Sequence, residues 1–330
     1  MPNYNGVWSL STHMQYVTSL GQGIAATVGI FAGGNVAGSR SNVISFIDVA
    51  TTGNATDFGD LTVARQHVGS GAASAIRAIV PPGDVSPYTV LDYFNLSSKG
   101  NAVDFGDVSV ARSHTAALAS STRGVFCGGR DNGAEAGLNT LDYITIASTG
   151  NATDFGDLGT GSAGAAKQKV STCGSPTRGL IWMGARAGTA VKANQDPDNY
   201  LEYITIASTG NATDFGTGLY RGSSAAVSSA TRAVNGGGNT SGTDSNVLEY
   251  VTIASTGDTT DFGDLASATT ELAAVCSRIR GVFGGGTVSG TAINVLQYIT
   301  IASTGNTTDF GDLAAISKEF CGVSDGHGGL

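Results

Sequence analysis

Short runs of β-branched and apolar residues recur along this chain, each alternating with polar residues and each bounded by Gly, Asn or Ser-Thr clusters. Residues 140–147 read Thr-Leu-Asp-Tyr-Ile-Thr-Ile-Ala, with near copies at 200–207, 247–254 and 295–302. A period-two pattern rich in Val, Ile, Thr and Tyr predicts a strand. Ser148-Thr-Gly-Asn151 then predicts a hairpin turn, because Gly and Asn accept positive φ. In the same copy, 111–118 and 122–129 predict two earlier strands, the second ending in a glycine pair, and 152–158 predicts a short last one. In 201–207 one face carries Leu201, Tyr203, Thr205 and Ala207, and the other Glu202, Ile204 and Ile206. Both faces hold sizeable side chains, as expected of a sheet packed between two neighbours.

The pattern is periodic on a larger scale. Asp-Phe-Gly stands at Asp57, Asp104, Asp154, Asp214, Asp261 and Asp309, with spacings of 47, 50, 60, 47 and 48 residues. Self-similarity near 50 residues with strand-like content predicts a radial or stacked repeat array. The phenylalanines of the motif, Phe58, Phe105, Phe155, Phe215, Phe262 and Phe310, are the expected packing residues between copies. The long spacing calls for an insertion, placed at 184–199 with a polar loop at 187–197.

The repeat resembles the kelch β-propeller. The resemblance rests on Arg-x-His in the first strand (Arg65 to His67, Arg112 to His114) and on Gly-Gly closing the second (Gly33-Gly34, Gly128-Gly129, Gly237-Gly238, Gly285-Gly286). It also rests on a third-strand Tyr at 93, 143, 203, 250 and 298, with Phe46 in the first copy. The copies near Pro82 and Met183 lack the glycine pair, and Phe of Asp-Phe-Gly stands where kelch repeats place a Trp. The resemblance implies an all-β, six-bladed propeller of four-stranded blades over 23–330, with 1–22 as an N-terminal extension. A strand left over at 317–323 is expected to complete the blade begun at the N-terminus, which removes an open edge.

Composition narrows function chiefly by what it lacks. Gly is 49 of 330 residues without a Gly-X-Y period, which excludes collagen, and 13% charged with 41% hydrophobic residues is too apolar for disorder. The net charge is -9 and no basic patch is visible, so nucleic acid is not an expected partner. No apolar run reaches the length of a membrane-spanning helix, and the first residues do not read as a secretory signal. Cys127, Cys173, Cys276 and Cys321 form no Cys-x-x-Cys pair and are expected as buried free thiols.

Candidate chemistry is sparse. Asp-Phe-Gly is also a kinase signature, but the Gly-rich loop, strand lysine and His-Arg-Asp loop are missing. Calcium needs six to eight oxygens, and two carboxylates per copy, such as Asp57 and Asp60, supply too few. Asn54, Asn151, Asn211 and Asn306 lie in glycan sequons, and are read as turn formers. His67 and His114 hold equivalent places in successive copies, and the other copies lack His there, so they read as structural. Gly21-Gln-Gly-Ile-Ala-Ala26 lacks the βαβ context of a dinucleotide site. No nucleophile elbow is present, no cofactor is expected, and no one-off polar cluster stands out for a central channel.

Gly6-Val-Trp-Ser-Leu10 and the near-identical Ile-Ala-Ser-Thr-Gly-Asn-Ala-Thr-Asp-Phe-Gly-Asp repeats resemble repeat-rich virion proteins of tailed bacteriophages. That resemblance implies a non-enzymatic structural component of a virion: a tail, fibre or surface appendage part. Its partners would be other virion proteins or further copies of the chain. Trp8, Leu10 and Tyr16 are the candidate partner-binding residues, on a segment that equally fits packing on its own propeller. The alternative is a recognition module binding glycan or protein on a host surface through loops of one propeller face. An enzyme is the least favoured reading.

Overall fold

The structure, a computed structural model, describes residues 28–134, 136–159, 167–184, 199–240 and 242–324. The described residues contain strands and turns and no helix; six blades of four antiparallel strands form a propeller ring. The third blade is typical. Its strands run from the axis outward as Ala116–Ala119, Arg123–Cys127, Thr140–Thr145 and Thr153–Asp157. The wholly buried innermost strand faces the axis and is rich in small residues, Ala-Ala-Leu-Ala here and Ser-Thr-Cys-Gly and Cys-Gly-Val-Ser in two other blades, which leaves room for six chains to converge.

The ring closes through its termini, as the leftover strand implied. Cys321–Ser324 is the innermost strand of the first blade and pairs antiparallel with Val28–Ala32, Gly29 opposite Ser324 and Ala32 opposite Cys321. Ser39–Asp48 and Thr56–Arg65 complete that blade. Unfolding either end therefore exposes a whole blade, which resists unzipping.

Cores lie between blades. Ile204 and Ile206 pack toward Leu118, Val125 and Phe155 of the preceding blade. Leu201 and Tyr203 pack toward Ala226, Val251 and Ile253 of the following one. The motif phenylalanines each fill such a junction, Phe58 against Phe94 and Leu96, for example, and Phe310 against Ile47 and Val49. All six, Phe105, Phe155, Phe215 and Phe262 included, are at most 4% exposed, and burying each contributes about 2 kcal/mol.

Polar groups bind the blades at the same junctions. Gly100 N donates to Phe58 O (2.9 Å) and Ala102 N to Asp60 O (2.8 Å), while Asn101 Oδ1 accepts from Asp60 N (3.1 Å). The same latch recurs at every junction, with Asn151, Asn211, Asn306 and Asn54 in the Asn role and Asp258 at the one exception. The Asn residues are thus more than turn formers. The first Asp of each motif is exposed on the outermost strand. Five second-strand arginines add a further tie. Arg123 lies over the Tyr143 ring (4.4 Å) and donates to Ile206 O of the next blade (2.9 Å), as do Arg77, Arg178, Arg232 and Arg280 at their own junctions.

One expectation needs correction. Arg-x-His does not lie in the first strand. Arg65 ends an outermost strand, Arg112 lies outside the strands, and His67 and His114 adopt φ of 56° and 54° before their inner strands begin. The left-handed residue breaks the extended chain so that it turns from rim to axis. Three second-to-third connections form small hairpins, Asn35–Val36 with the start of Ser39–Asp48, Asn239–Thr240 with Thr243–Asp244, and Thr287–Val288 with Thr291–Ala292. Ala37-Gly38 and Ser289-Gly290 turn them with positive φ at both residues, the twist that suits a two-residue hairpin. The N-terminal extension with Trp8, Leu10 and Tyr16, and the loop at 187–197, lie outside the described residues.

Candidate functional site

Strand direction makes the two faces of the disc chemically unlike. The turns joining first to second strands, and third to fourth, lie on one face and are nearly identical. In the former, Ser Oγ accepts from the backbone N–H of the arginine at Ser74, Ser120, Ser175, Ser229 and Ser277. The other face carries the second-to-third loops and the passages from each outermost strand to the next innermost one, and these differ from blade to blade.

Three passages are anchored first by a buried arginine that pairs with a carboxylate of the next blade. Arg65 pairs with Asp92 (2.7 Å), Arg112 with Asp142 (2.9 Å) and Arg221 with Glu249 (3.0 Å). The carboxylates also accept backbone N–H groups from the passage, Thr62 N to Asp92 and Ser109 N to Asp142. Lys167 and Glu202 hold the matching places in the fourth blade, whereas the sixth has Thr269 and Gln297, whose Oε1 accepts from Ala266 N. At the seam between the last blade and the first, these positions are Ser317 and Ser45, and a cleft opens there between Phe31, Val43, Leu313 and Phe320.

Two residues beyond each anchor, the passage reaches the central channel. His67, His114, Lys169, Ser223, Glu271 and Glu319 stand there, one per junction, all left-handed with φ between 54° and 59°. Their main chains form a closed circle. His114 N donates to His67 O (2.8 Å), Lys169 N to His114 O (3.3 Å) and Ser223 N to Lys169 O (3.4 Å). Glu271 N then donates to Ser223 O (3.0 Å), Glu319 N to Glu271 O (3.0 Å), and Val68 N closes onto Glu319 O (3.2 Å). A left-handed conformation costs a non-glycine residue roughly 1–2 kcal/mol. The four Gly-Gly pairs show the chain placing glycine at left-handed bends beside this circle, yet none of the six ring positions uses it. Persistent strain of this kind points to side chains retained for use.

The side chains surround the mouth of a funnel of about 630 Å³, open solvent included, whose wall continues into Ser70, Ser171, Thr172 and Ser224. Ser70 Oγ meets Thr172 Oγ1 at 2.8 Å, narrowing the channel below the mouth. Going round, the two imidazoles of His67 and His114 lead to the ammonium of Lys169, then the hydroxyl of Ser223, then the carboxylates of Glu271 and Glu319. His67 and His114 stack with centroids 4.2 Å apart. His67 Nδ1 lies 3.1 Å from Glu319 Oε1, and Lys318 Nζ lies 2.9 Å from Glu271 Oε2. Burial opposes charge on Glu319, but the His67 imidazole, with Lys318 and Lys169 adding, outweighs it and holds the carboxyl below its ordinary value. Burial first, then His67, Lys169 and Arg130, push His114 down to about 2, so its imidazole is neutral; its Nδ1 lies 3.0 Å from Ser113 Oγ.

No group of three or more His, Cys, Asp or Glu converges on a metal position among the described residues. The four cysteines are free and buried, and burial raises the thiols of Cys127, Cys173 and Cys321. Sequence reasoning singled out His67 and His114 but missed the ring, a one-off polar cluster at the channel after all. The available signal was position. A ring residue stands ten residues after the first Asp of Asp-Phe-Gly at 67, 114, 271 and 319.

Fold and site define the class: a six-bladed β-propeller with one uniform face, one varied face and a mixed-charge ring at the channel mouth. No family model matches the chain, and no curated protein matches it at a significant level of sequence similarity.

Proposed function

We propose that this protein is a non-enzymatic structural component of a bacteriophage virion, a tail, fibre or appendage part that serves as a rigid interaction scaffold. The observation that carries the reading is the two-faced disc. Near-identical latched turns on one side make a stiff body, and unlike loops on the other make a surface able to meet a partner. The Gly-Gly pairs and third-strand tyrosines support a kelch-like lineage for that body. The resemblance of Gly6 to Leu10 and of the Asp-Phe-Gly-Asp repeats to phage virion proteins supports the placement. On this reading Trp8, Leu10 and Tyr16 attach the disc to other virion proteins or to another copy.

The varied face also favours a second reading, a recognition module that binds a host-surface glycan or protein; the two roles coincide in a receptor-binding appendage. The test is quantitative mass spectrometry of purified virus particles from the source. A fixed ratio of this chain to the major capsid protein is expected, and its absence from particles overturns the virion assignment.

A further inference from the structure

The ring at the channel mouth carries chemistry that a scaffold does not need. We propose that it binds a small zwitterion of the free amino acid class. Lys169 and Ser223 would take the carboxylate, and Glu271 and Glu319 the ammonium.

Size comes first. Six main-chain segments joined neighbour to neighbour at a spacing of roughly 4.8 Å make a hexagon about 10 Å across. Side chains pointing into such a circle leave room for a molecule of a few heavy atoms and not for a polymer. The funnel behind the ring is walled by hydroxyls, Ser70 and Thr172 among them, which suits a polar occupant.

Charge comes second. The ammonium groups of Lys169 and Lys318 match the carboxylates of Glu271 and Glu319 in number, and their separation round the ring sets a strong dipole across the mouth. Lys169 and Glu319 occupy opposite positions in the order of the ring. Lys169 makes no ion pair with a described carboxylate, and Ser223 Oγ makes no hydrogen bond among the described residues. Lys318 occupies one oxygen of Glu271, and His67 one of Glu319, so each carboxylate keeps an oxygen to offer. A simple anion at Lys169 would meet two carboxylates, and a simple cation at the glutamates would meet Lys169. A neutral molecule with both charges satisfies both ends without bringing net charge into a partly desolvated site.

The experiment is isothermal titration of the full chain with glycine, β-alanine and γ-aminobutyrate, against acetate and methylammonium. At least one zwitterion is expected to bind about tenfold or more tightly than either half-ligand. Lys169→Gly keeps the left-handed backbone at ease while deleting the ammonium, and Glu319→Gln keeps the shape without the charge. Each is expected to weaken the zwitterion about tenfold, while Asp57→Asn on the exposed outer strand leaves it unchanged. The proposal is overturned if no zwitterion binds at ~100 mM, if acetate or methylammonium binds as tightly, or if both ring variants, folded by their melting curves, bind like the parent.

Discussion

Gly106 tests whether the repeated motif acts as an inter-blade latch. It has φ 140°, and a Cβ placed on it would stand 2.5 Å from the carbonyl oxygen of Gly150 and 3.0 Å from Asn151 N, both in the next blade. Around it lie three bonds to that blade: Gly150 N to Phe105 O (2.8 Å), Asn151 Oδ1 from Asp107 N (3.1 Å) and Ala152 N to Asp107 O (2.7 Å). Gly106→Ala must therefore displace backbone, since no flexible side chain is there to yield. The conformational strain costs about 1–3 kcal/mol and the overpacking roughly another 1–3 kcal/mol. Gly150→Ala is the matched control, with φ 152° and nothing within 4 Å of its added Cβ, so it carries the strain alone. The assay is urea unfolding, followed by the fluorescence of buried Trp182, with amide exchange to locate the damage. Gly106→Ala should lose about 1–3 kcal/mol more than Gly150→Ala, with faster exchange at the amides of Gly150 and Ala152. Equal losses in the two variants, or unchanged exchange at those amides, would refute the latch.

Other outcomes follow from the same geometry. Arg232→Met loses the stack on Tyr250 (4.4 Å) and two bonds, to Ile301 O (3.1 Å) and Ala302 O (2.8 Å). It should cost about 1–3 kcal/mol in thermal denaturation, and Arg232→Lys less. Asp142→Asn leaves the wholly buried Arg112 without its counter-charge, a loss of about 3–5 kcal/mol readable in the same urea titration. His114 is held far below its ordinary 6.5, so the unfolded chain takes up a proton that the fold refuses. Its contribution is full above pH 6.5 and declines as pH falls toward about 2, at up to ~1.4 kcal/mol per pH unit. His114→Gln should flatten that decline between pH 6.5 and 4.5, above the range where Glu319, whose ordinary value is 4.5, begins to lose its own contribution. The four cysteines should resist alkylation in the native protein and all react once it is unfolded, because each is fully buried.

How much was legible in the sequence depended on whether a position repeats its residue or only its backbone. The blade count and the closure by Cys321–Ser324 followed from spacing and a leftover strand, because each copy buries both sheet faces only against its neighbours. The strand assignment of Arg65-Gln-His67 failed because three residues of favourable pattern do not reveal a left-handed break. The bridging role of Asn101 and its counterparts was hidden for another reason. A Thr-Gly-Asn turn looks locally complete, and which neighbour its Oδ1 reaches is decided only when blades pack. The channel ring was the least visible. Its backbone recurs six times while its chemistry runs His, His, Lys, Ser, Glu, Glu, so no motif search over residue types brings these positions together.

That contrast is itself the strongest guide to where function lies. Where the packing problem recurs, the chain solves it with recurring residues: Phe in all six junctions, Asn across five of them, and Arg over Tyr in five blades. A stack of this kind fixes the blades as one body and leaves little freedom for the disc to flex. Where the residues diverge on an unvarying backbone, packing is not what selects them, since Ser223 and Lys169 fit the same φ and the same main-chain bonds. The buried anchors draw the same line within a single passage. Arg65, Arg112 and Arg221 keep one type of pair with Asp or Glu because an unpartnered buried charge is costly, while two residues further on identity becomes free. The change from constrained to free falls at the wall of the channel, which is where a rigid scaffold can present a small, specific set of charges.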